Sequence, residues 1–355
     1  MATVSPTEML SSTEGSSVET VTANFTRSYK TFVEFQAAFV IKVILGSVIM
    51  LMGTTGNVLS FLVMRSPEMR KSTTSTYLSA LSIMDLGVLY LACLPEMIFT
   101  IMGYQRYDYS NFTCRWLHFV EFVTTDTSAW ILMSVSIERL LSVFKPFTVK
   151  RVCTHKSALI VVVVTFVILC GVNSQLIVLK GIGPDGSCAP LPQYMEYWEN
   201  VWLWWDMCNF SILPSTILTA CNVSIIIKLK FATKIKGSHS KNSKMSSNTI
   251  IMILVTIAFF MTTFPSVLFQ NLKPLWYTTQ GYERAKDELT WAFFLMLSYM
   301  NSAINFFLYC VSGRRFRTQL CLVLRIKPSR VEPAAQSTIG GCDGQPGTTE
   351  DFSHS

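Results

Sequence analysis

Seven long apolar runs divide this chain and leave few choices of architecture. They cover residues 38–64, 75–101, 112–144, 156–180, 199–230, 248–272 and 288–311. An α-helix needs about 20 residues to cross the hydrocarbon core of a bilayer, and each run is long enough. Only 14% of the residues are charged, against about 25% in a typical soluble domain. The sequence therefore predicts an all-α membrane protein whose residues 38–311 form a bundle of seven transmembrane helices.

The positions of the basic residues predict how these helices are oriented. With the N-terminus outside, the cytosolic segments 65–71, 139–156, 228–244 and 314–330 hold 3, 5, 6 and 6 Lys or Arg residues, which makes 20 of the 29 in the chain. Such an excess marks the cytoplasmic loops of multi-pass proteins, and it also suits contact with anionic membrane lipid. We therefore expect a multi-pass plasma-membrane protein with an extracellular N-terminus and a cytoplasmic C-terminus.

The two ends of the chain are polar. Residues 1–37 are predicted to be a disordered extracellular tail without the apolar core of a cleaved signal peptide, so the first apolar run must direct insertion. Residues 326–355 are predicted to be a disordered cytoplasmic tail. Asn24 and Asn111 each begin an Asn-Phe-Thr glycosylation acceptor on the predicted outer side. Asn111 is the less favourable of the two because it lies beside the membrane and near a cysteine.

Short motifs inside the apolar runs narrow the class of protein. In chain order they are Gly56-Asn57, LSALSIMD ending at Asp85, Cys114, Glu138-Arg139-Leu140, Pro214, Pro265 and NFFLY at 305–309. Each motif is weak alone, but their order and spacing resemble the rhodopsin-like (class A) G-protein-coupled receptors across roughly residues 40–320. The stretch NSAINFFLYC followed by RFR is similar to the peptide-receptor branch, which includes invertebrate FMRFamide-type receptors and related orphan receptors.

The segment after the seventh run also matches this family. Residues 312–325 contain SGRRFRTQLC, which resembles the short amphipathic eighth helix of these receptors. In that comparison Phe316 and Leu320 face lipid, and Cys321 is a candidate for palmitoylation, with an unmodified thiol as the alternative. The resemblance further implies a disulfide between Cys114 and Cys188 on the oxidising side of the membrane.

Four positions depart from the family's usual pattern. The fourth run has no Trp, while Thr263 and Asn222 replace a usual Trp and a usual Tyr. Phe306 stands where proline is usual, and losing that proline should straighten the seventh helix. The class of protein is unaffected, but these residues bear on the details of activation.

A group of polar residues lies inside the second, third and seventh runs. The resemblance implies that they converge on one small cavity; they are Asp85, Ser128, Asn301, Ser302 and Asn305. A carboxylate in mid-membrane is costly unless it is paired, hydrated or protonated, and oxygen donors suit a hard cation. The resemblance implies a sodium ion with waters that acts as a negative allosteric modulator. A hydrogen-bonded water network without an ion is the alternative.

The cytosolic end of the third helix carries a candidate switch. Cys114 and Arg139 are 25 residues apart, about 37 Å along a helix, so they lie at opposite membrane faces. The resemblance implies that Arg139 pairs with Glu138 at rest and meets a heterotrimeric G protein once the sixth helix moves away. Tyr309 would swing inward as its partner. An arginine that merely reaches the interface is the alternative.

Acidic residues mark a candidate ligand pocket near the outer surface. Glu121 is seven residues into the third helix, at the position where amine receptors carry an Asp that binds a cation. Glu96 and Asp206 add negative charge near the same mouth, and Tyr299 matches a usual pocket position. The alternative for Glu121 is an internal salt bridge or a hydrogen bond with Tyr299. Asp126 lies about 140° around the helix from Glu121 and is expected outside the pocket.

These residues predict a receptor rather than an enzyme. We expect it to bind an extracellular neuropeptide with a cationic residue and to activate a heterotrimeric G protein, with a small amine or amino-acid-like ligand as the alternative. Arrestin and a receptor kinase are further expected partners, and nucleic acid is not. A transporter is disfavoured because no internal repeat is visible. A photoreceptor would need a Schiff-base lysine, and residues 288–311 contain none.

Overall fold

A computed structural model describes residues 30–102, 110–183, 188–235, 247–276 and 281–325. In this part of the chain, seven helices are long and apolar enough to cross a membrane, as predicted. The predicted glycosylation site Asn24, residues 1–29 of the N-terminal tail and residues 326–355 of the C-terminal tail lie outside the described residues.

The seven spanning helices are followed by an eighth, shorter helix. Their bounds are α1 (Val33–Met64), α2 (Thr73–Met102), α3 (Asn111–Phe144), α4 (His155–Asn173), α5 (195–235), α6 (Ser247–Trp276), α7 (Gly281–Ser312) and α8 (Arg314–Val323). Short helical turns occupy Met69–Lys71, Pro146–Val152, Leu176–Leu179 and Pro192–Tyr194. Strands β1 (Lys180–Ile182) and β2 (Cys188–Pro190) form an antiparallel hairpin.

Two helices begin at least five residues earlier than the sequence predicted. The first helix was expected from residue 38 and begins at Val33, and the seventh was expected from residue 288 and begins at Gly281. Both early turns contain an acidic residue, Glu34 or Glu283. Hydropathy marks the part of a helix that lies in hydrocarbon, whereas the helix itself continues into the polar interface. Residues 33–37 therefore belong to α1 and not to the predicted tail.

Local signals set the first turns of α3 and α4. The Ser110 hydroxyl accepts a hydrogen bond from the Thr113 backbone N–H at 3.0 Å and caps α3. Thr154 and Ser157 form a reciprocal capping box at the start of α4. Each cap satisfies backbone donors that a helix N-terminus leaves unpaired.

Helix α3 is the central element of the bundle, since it packs against α2, α4 and α5. Helix α7 packs against α1 and α6. Two glycines let α1 approach its neighbours closely. A Cβ atom at Gly53 would lie 2.6 Å from Leu89, and one at Gly56 would lie 2.9 Å from Phe306. Larger residues at either position would push α1 away from the bundle.

Helix α8 docks on the bundle through its aromatic residue. Phe316 is only 3% exposed, and its ring meets the rings of Phe306 and Tyr309 edge-on at 5.9 and 5.7 Å. The expectation that Phe316 faces lipid is therefore wrong. Leu320 also packs against this core cluster, so it too contacts protein. Arg317 ties α8 to α7 by donating to the backbone carbonyl of Cys310 at 2.8 Å.

An ion pair joins α1 and α2 near the disulfide-bonded end of the bundle. Lys42 Nζ lies 2.9 Å from Glu96 Oε1, and the two side chains are only 14% and 12% exposed. Each helix contains a π-helical turn close to this pair, Ile41–Leu45 in α1 and Leu89–Cys93 in α2. Glu96 was predicted to bind ligand. The structure instead uses it to hold two helices together.

Replacing Lys42 with Met should destabilise the folded protein by about 3–5 kcal/mol, because Glu96 then loses the cation beside its buried carboxylate. Thermal unfolding of the purified protein in detergent measures this, and the exchanged double variant Lys42→Glu with Glu96→Lys should recover most of the loss. Lys286→Met is the matched control. That lysine pairs with Glu283 at 2.9 Å, but both side chains are about half exposed, so little change is expected. Equal effects of the two substitutions would contradict the prediction.

Candidate functional site

A cavity of about 200 Å³ opens at the end of the bundle that carries the disulfide. Its wall comes from α2, α3, β1, α5, α6 and α7. The charged residues in this wall are Glu121, Asp126, Lys180 and Asp206. The volume corresponds to roughly seven water molecules, which suits one long side chain or a small organic molecule.

The cavity brings together three of the four residues predicted to bind ligand. Glu121, Asp206 and Tyr299 all line it. Glu96, in its ion pair with Lys42, is not among the described residues in the cavity wall. The sequence therefore located the pocket but overestimated how many acids face it from α2.

Asp126 also lines this cavity, which corrects the expectation that it lies elsewhere. Its Oδ2 atom accepts hydrogen bonds from Asn173 Nδ2 at 2.9 Å and from Asn209 Nδ2 at 2.8 Å. The cavity extends from Glu121 toward α5, whose residues Asp206 and Phe210 also line it, so a residue well around α3 from Glu121 still faces it. The two asparagines, polar residues inside α4 and α5, were the sequence signal that could have located Asp126.

The β-hairpin forms one side of the cavity, and the disulfide fixes it to α3. The predicted bond between Cys114 and Cys188 is confirmed, with the two Cα atoms 5.7 Å apart. Asn111 also holds the hairpin, because its Oδ1 accepts a hydrogen bond from the Ile182 N–H at 2.8 Å. Lys180 places its amine 4.0 Å from the centre of the Trp198 ring. The hairpin therefore presents one cation to a cavity with three acids.

A second polar cluster lies deeper in the bundle around Asp85, which is 0% exposed. Asp85 Oδ1 accepts a hydrogen bond from Ser128 Oγ at 2.7 Å, and Oδ2 accepts one from Asn305 Nδ2 at 2.9 Å. The Ser302 carbonyl accepts from Asn57 Nδ2 at 2.7 Å. Asn301 Oδ1 lies 3.4 Å from the Thr262 hydroxyl, so α6 also contributes to this cluster.

The carboxylate, hydroxyl and amide oxygens in this cluster are the types of ligand atom that a sodium ion binds. Ser128, Asn301 and Ser302 also line the deep end of the cavity, so the cavity reaches the cluster. The described part of the chain places no Lys or Arg in an ion pair with Asp85. A buried carboxylate without a basic partner, surrounded by hydroxyl and amide oxygens, is an environment that accepts a hard cation.

The opposite end of the bundle holds the predicted switch residues in a different arrangement. Arg139 Nη2 donates to the Thr74 hydroxyl, and the Thr73 hydroxyl donates to Glu138 Oε1. Within the described ranges no ion pair joins Glu138 to Arg139, so the predicted pairing is wrong for this structure. Both side chains instead reach adjacent threonines in the first turn of α2, which packs beside α3.

Arg139 and Tyr309 line one large cavity of about 960 Å³ at this end. The Tyr309 side chain is buried, and its hydroxyl has no hydrogen-bond partner among the described residues. Helices α5 and α6 are linked at a buried position by Asn222 Nδ2, which donates to Thr256 Oγ1 at 2.6 Å. Asn222 was noted as a departure from the family, but its partner could not be read from the sequence.

A seven-helix membrane bundle with a cavity at each end, a disulfide-anchored hairpin and an eighth helix defines the architecture of a G-protein-coupled receptor. Residues 56–309, which are more than half of the 355-residue chain, match the sequence model of the "7 transmembrane receptor (rhodopsin family)". The chain therefore belongs to the rhodopsin family of seven-transmembrane receptors. Members of this family are receptors rather than enzymes, and they pair an extracellular ligand with a G protein.

Proposed function

We propose that this receptor is activated by an extracellular ligand with a cationic group, namely a neuropeptide that contains a basic residue. The observation that carries the proposal is the charge of the cavity, because among the described lining residues the three acids Glu121, Asp126 and Asp206 outnumber Lys180 and the imidazole of His118. A concave site lined mainly by one sign of charge concentrates ligands of the opposite sign.

The size of the cavity supports a peptide over a small amine. Its volume of about 200 Å³ is below the 300–1,000 Å³ that drug-sized ligands usually fill. One basic side chain fills such a space, and the rest of a peptide would then contact the hairpin and its surroundings. The peptide-receptor branch that the sequence resembles agrees with this. A small amine that fits the cavity alone is the competing outcome of the test below.

The orientation in this proposal places the disulfide end outside the cell and the α8 end in the cytosol. A disulfide forms on the oxidising side of the membrane. Arg314 and Arg315 in α8 add to the excess of basic residues on the side assigned to the cytosol. On this orientation Asn111 is an exposed glycosylation candidate, and Cys321, a free and half-buried thiol on α8, is a palmitoylation candidate.

The Asp85 cluster is proposed to couple the two ends. Asp85, Ser128, Asn301 and Ser302 would hold the sodium ion, with Asn305 orienting the carboxylate. When bound, the ion supplies a positive charge that neutralises Asp85 and favours the resting state. An agonist favours the other state through its differential affinity for the two conformations. Arg139 and Tyr309 then face the G protein, and arrestin and a receptor kinase are proposed partners at the same end.

Replacing Glu121 with Gln should lower the potency of a cationic agonist about 10- to 100-fold, since a hydrogen bond to a charged group contributes roughly 1.5–3 kcal/mol. The agonist comes from a library of amidated peptides, screened by calcium release in cells that express the receptor with a promiscuous G protein. Glu283→Gln, an exposed acid on the same side of the bundle, is the control and should leave potency unchanged. Unchanged potency in Glu121→Gln would remove Glu121 from the site, and responses to amines but to no peptide would reject a peptide ligand.

A further inference from the structure

Asp206 is a buried carboxylate that lines the cavity and has no hydrogen-bond or ion-pair partner among the described residues. The residue is only 8% exposed and lines the cavity wall. In the part of the chain that the structure describes, no hydrogen bond or ion pair reaches its carboxylate. Burying a carboxylate without hydrogen-bond donors costs free energy, because the charged group loses its hydration and forms no compensating interaction. A residue kept in this state is in position to receive donors from a ligand.

Asp126 is a second carboxylate in the wall of the same cavity, and two amide donors hold it in place. Both amide donors, Asn173 and Asn209, bind the same oxygen, Oδ2, and no donor among the described residues reaches Oδ1. Asn209 lies one helical turn after Asp206 on α5. The π-helical turn Met207–Ile212, which contains Asn209, begins directly after Asp206. Wide turns of this kind are frequent at functional sites.

The other two cavity acids act on Asp206 through their charges, but the three carboxylates are too far apart to bind one metal ion jointly. The negative charges of Asp126 and Glu121 both act on Asp206. Within the described residues, the three carboxylates do not form a group whose ligand oxygens all lie within 4.8 Å of one another. Glu121 and Asp126 are five residues apart, which is about 7.5 Å along the axis of α3. This spacing suits a polyatomic cation with separated charges better than a single ion.

We propose that Asp206 and Asp126 form a second cation subsite, so that the agonist of this receptor carries two positively charged groups. One group binds near Glu121, and the other binds between Asp206 and Asp126. The inference rests on the proposed function and narrows it, because an agonist with a single positive charge would leave Asp206 without a donor. A basic residue with a free α-ammonium group is the smallest peptide unit with this chemistry.

The ligand-free receptor provides the first test. Asp206→Asn keeps the shape of the side chain and removes the unpartnered charge, so the purified variant should melt roughly 3 °C or more above the parent protein. Glu199→Gln, which removes an exposed acid from the same helix, is the control and should leave the melting temperature unchanged. A lower melting temperature for Asp206→Asn would assign Asp206 a structural role and overturn the proposal.

The second test compares two probes that differ by one charge. Arginine amide carries an α-ammonium group and a guanidinium group, whereas N-acetyl-arginine amide carries the guanidinium group alone. Arginine amide should raise the melting temperature of the parent protein at a concentration at least tenfold lower, and Asp206→Asn should abolish the difference. Stabilisation by both probes at the same concentration, or by neither, overturns the proposal.

The two variants separate this inference from the proposed function. If agonist potency falls in Glu121→Gln and is unchanged in Asp206→Asn, the receptor recognises a single charge, and only the second subsite is wrong. If neither substitution changes potency, the cavity does not bind a cationic ligand, and the proposed function fails as well.

Discussion

Replacing Arg139 with Ala is expected to abolish G-protein activation while ligand binding at the other end changes little. Arg139 lines the cavity of about 960 Å³ beside α8, where it provides a permanent charge and a planar set of donors. Alanine supplies neither. We expect agonist-stimulated nucleotide exchange in membranes to fall at least 100-fold, with radioligand affinity within about threefold of the parent protein. Arg139→Lys keeps a charge without the planar donors and should give an intermediate rate.

The hydrogen bond from Arg139 to Thr74 leads to a second prediction, in which a substitution raises G-protein activation instead of lowering it. If this bond restrains the arginine at rest, Thr74→Val should raise ligand-independent exchange roughly tenfold, since a hydrogen bond to a charged group contributes about 1.5–3 kcal/mol. Thr76→Val is a suitable control, because Thr76 lies on the same helix but contacts His155 rather than α3. Normal exchange in Arg139→Ala, or unchanged basal exchange in Thr74→Val, would show that this arginine is not the switch.

Most of the architecture could be predicted because a bilayer leaves a chain few options. Backbone groups in hydrocarbon must be hydrogen-bonded within the segment, so seven long apolar runs become seven helices. The convergence of the Asp85 cluster was predicted from the resemblance to the receptor family, and the cost of unpaired polar groups in hydrocarbon gives a physical reason for it. Asp85, Ser128 and Asn305 are in fact joined by hydrogen bonds.

Most of the wrong predictions for individual side chains share one cause: the contacts of a side chain depend on neighbouring helices as well as on its own. The partners of Glu96 and Asp126 are Lys42, Asn173 and Asn209, which lie on other helices, and π-helical turns nearby shift the angular positions from those of a regular helix. Glu138 and Arg139 are adjacent in sequence, but each finds a nearer partner on α2. No rule based on spacing along one helix includes these neighbours.

Phe316 was misplaced for a different reason. In a membrane protein an apolar side chain can face lipid or another helix at similar cost, so hydrophobicity does not separate the two. The explanation lies in Phe306, whose role the sequence left open. Without a proline at this position α7 is one unbroken helix, and the Phe306 ring packs over Gly56 and against Phe316. The substitution therefore provides the surface on which α8 docks.

Replacing Asp85 with Asn is expected to abolish the effect of sodium on agonist affinity. In the parent receptor, exchanging choline for sodium should lower agonist affinity roughly tenfold, which corresponds to a coupling of about 1.4 kcal/mol. The carboxylate is the one anionic donor in the cluster of Ser128, Asn301, Ser302 and Asn305, so an amide at position 85 leaves the ion without a counter-charge. Competition binding in the two salts, at constant ionic strength, measures the effect.

The hydrogen bonds of Asp85 provide the control for misfolding. An amide at position 85 has one acceptor oxygen where Asp85 has two, so it can accept from Asn305 Nδ2 only if the contact with the Ser128 hydroxyl reverses its donor, and part of any loss would come from this rearrangement. The exchanged double variant, Asp85→Asn with Asn305→Asp, restores one carboxylate and one amide to the same contact. It should recover thermal stability and a measurable part of the sodium effect. A parent receptor whose agonist affinity ignores sodium would instead leave the cluster as a hydrogen-bonded network that holds α2, α3 and α7 together.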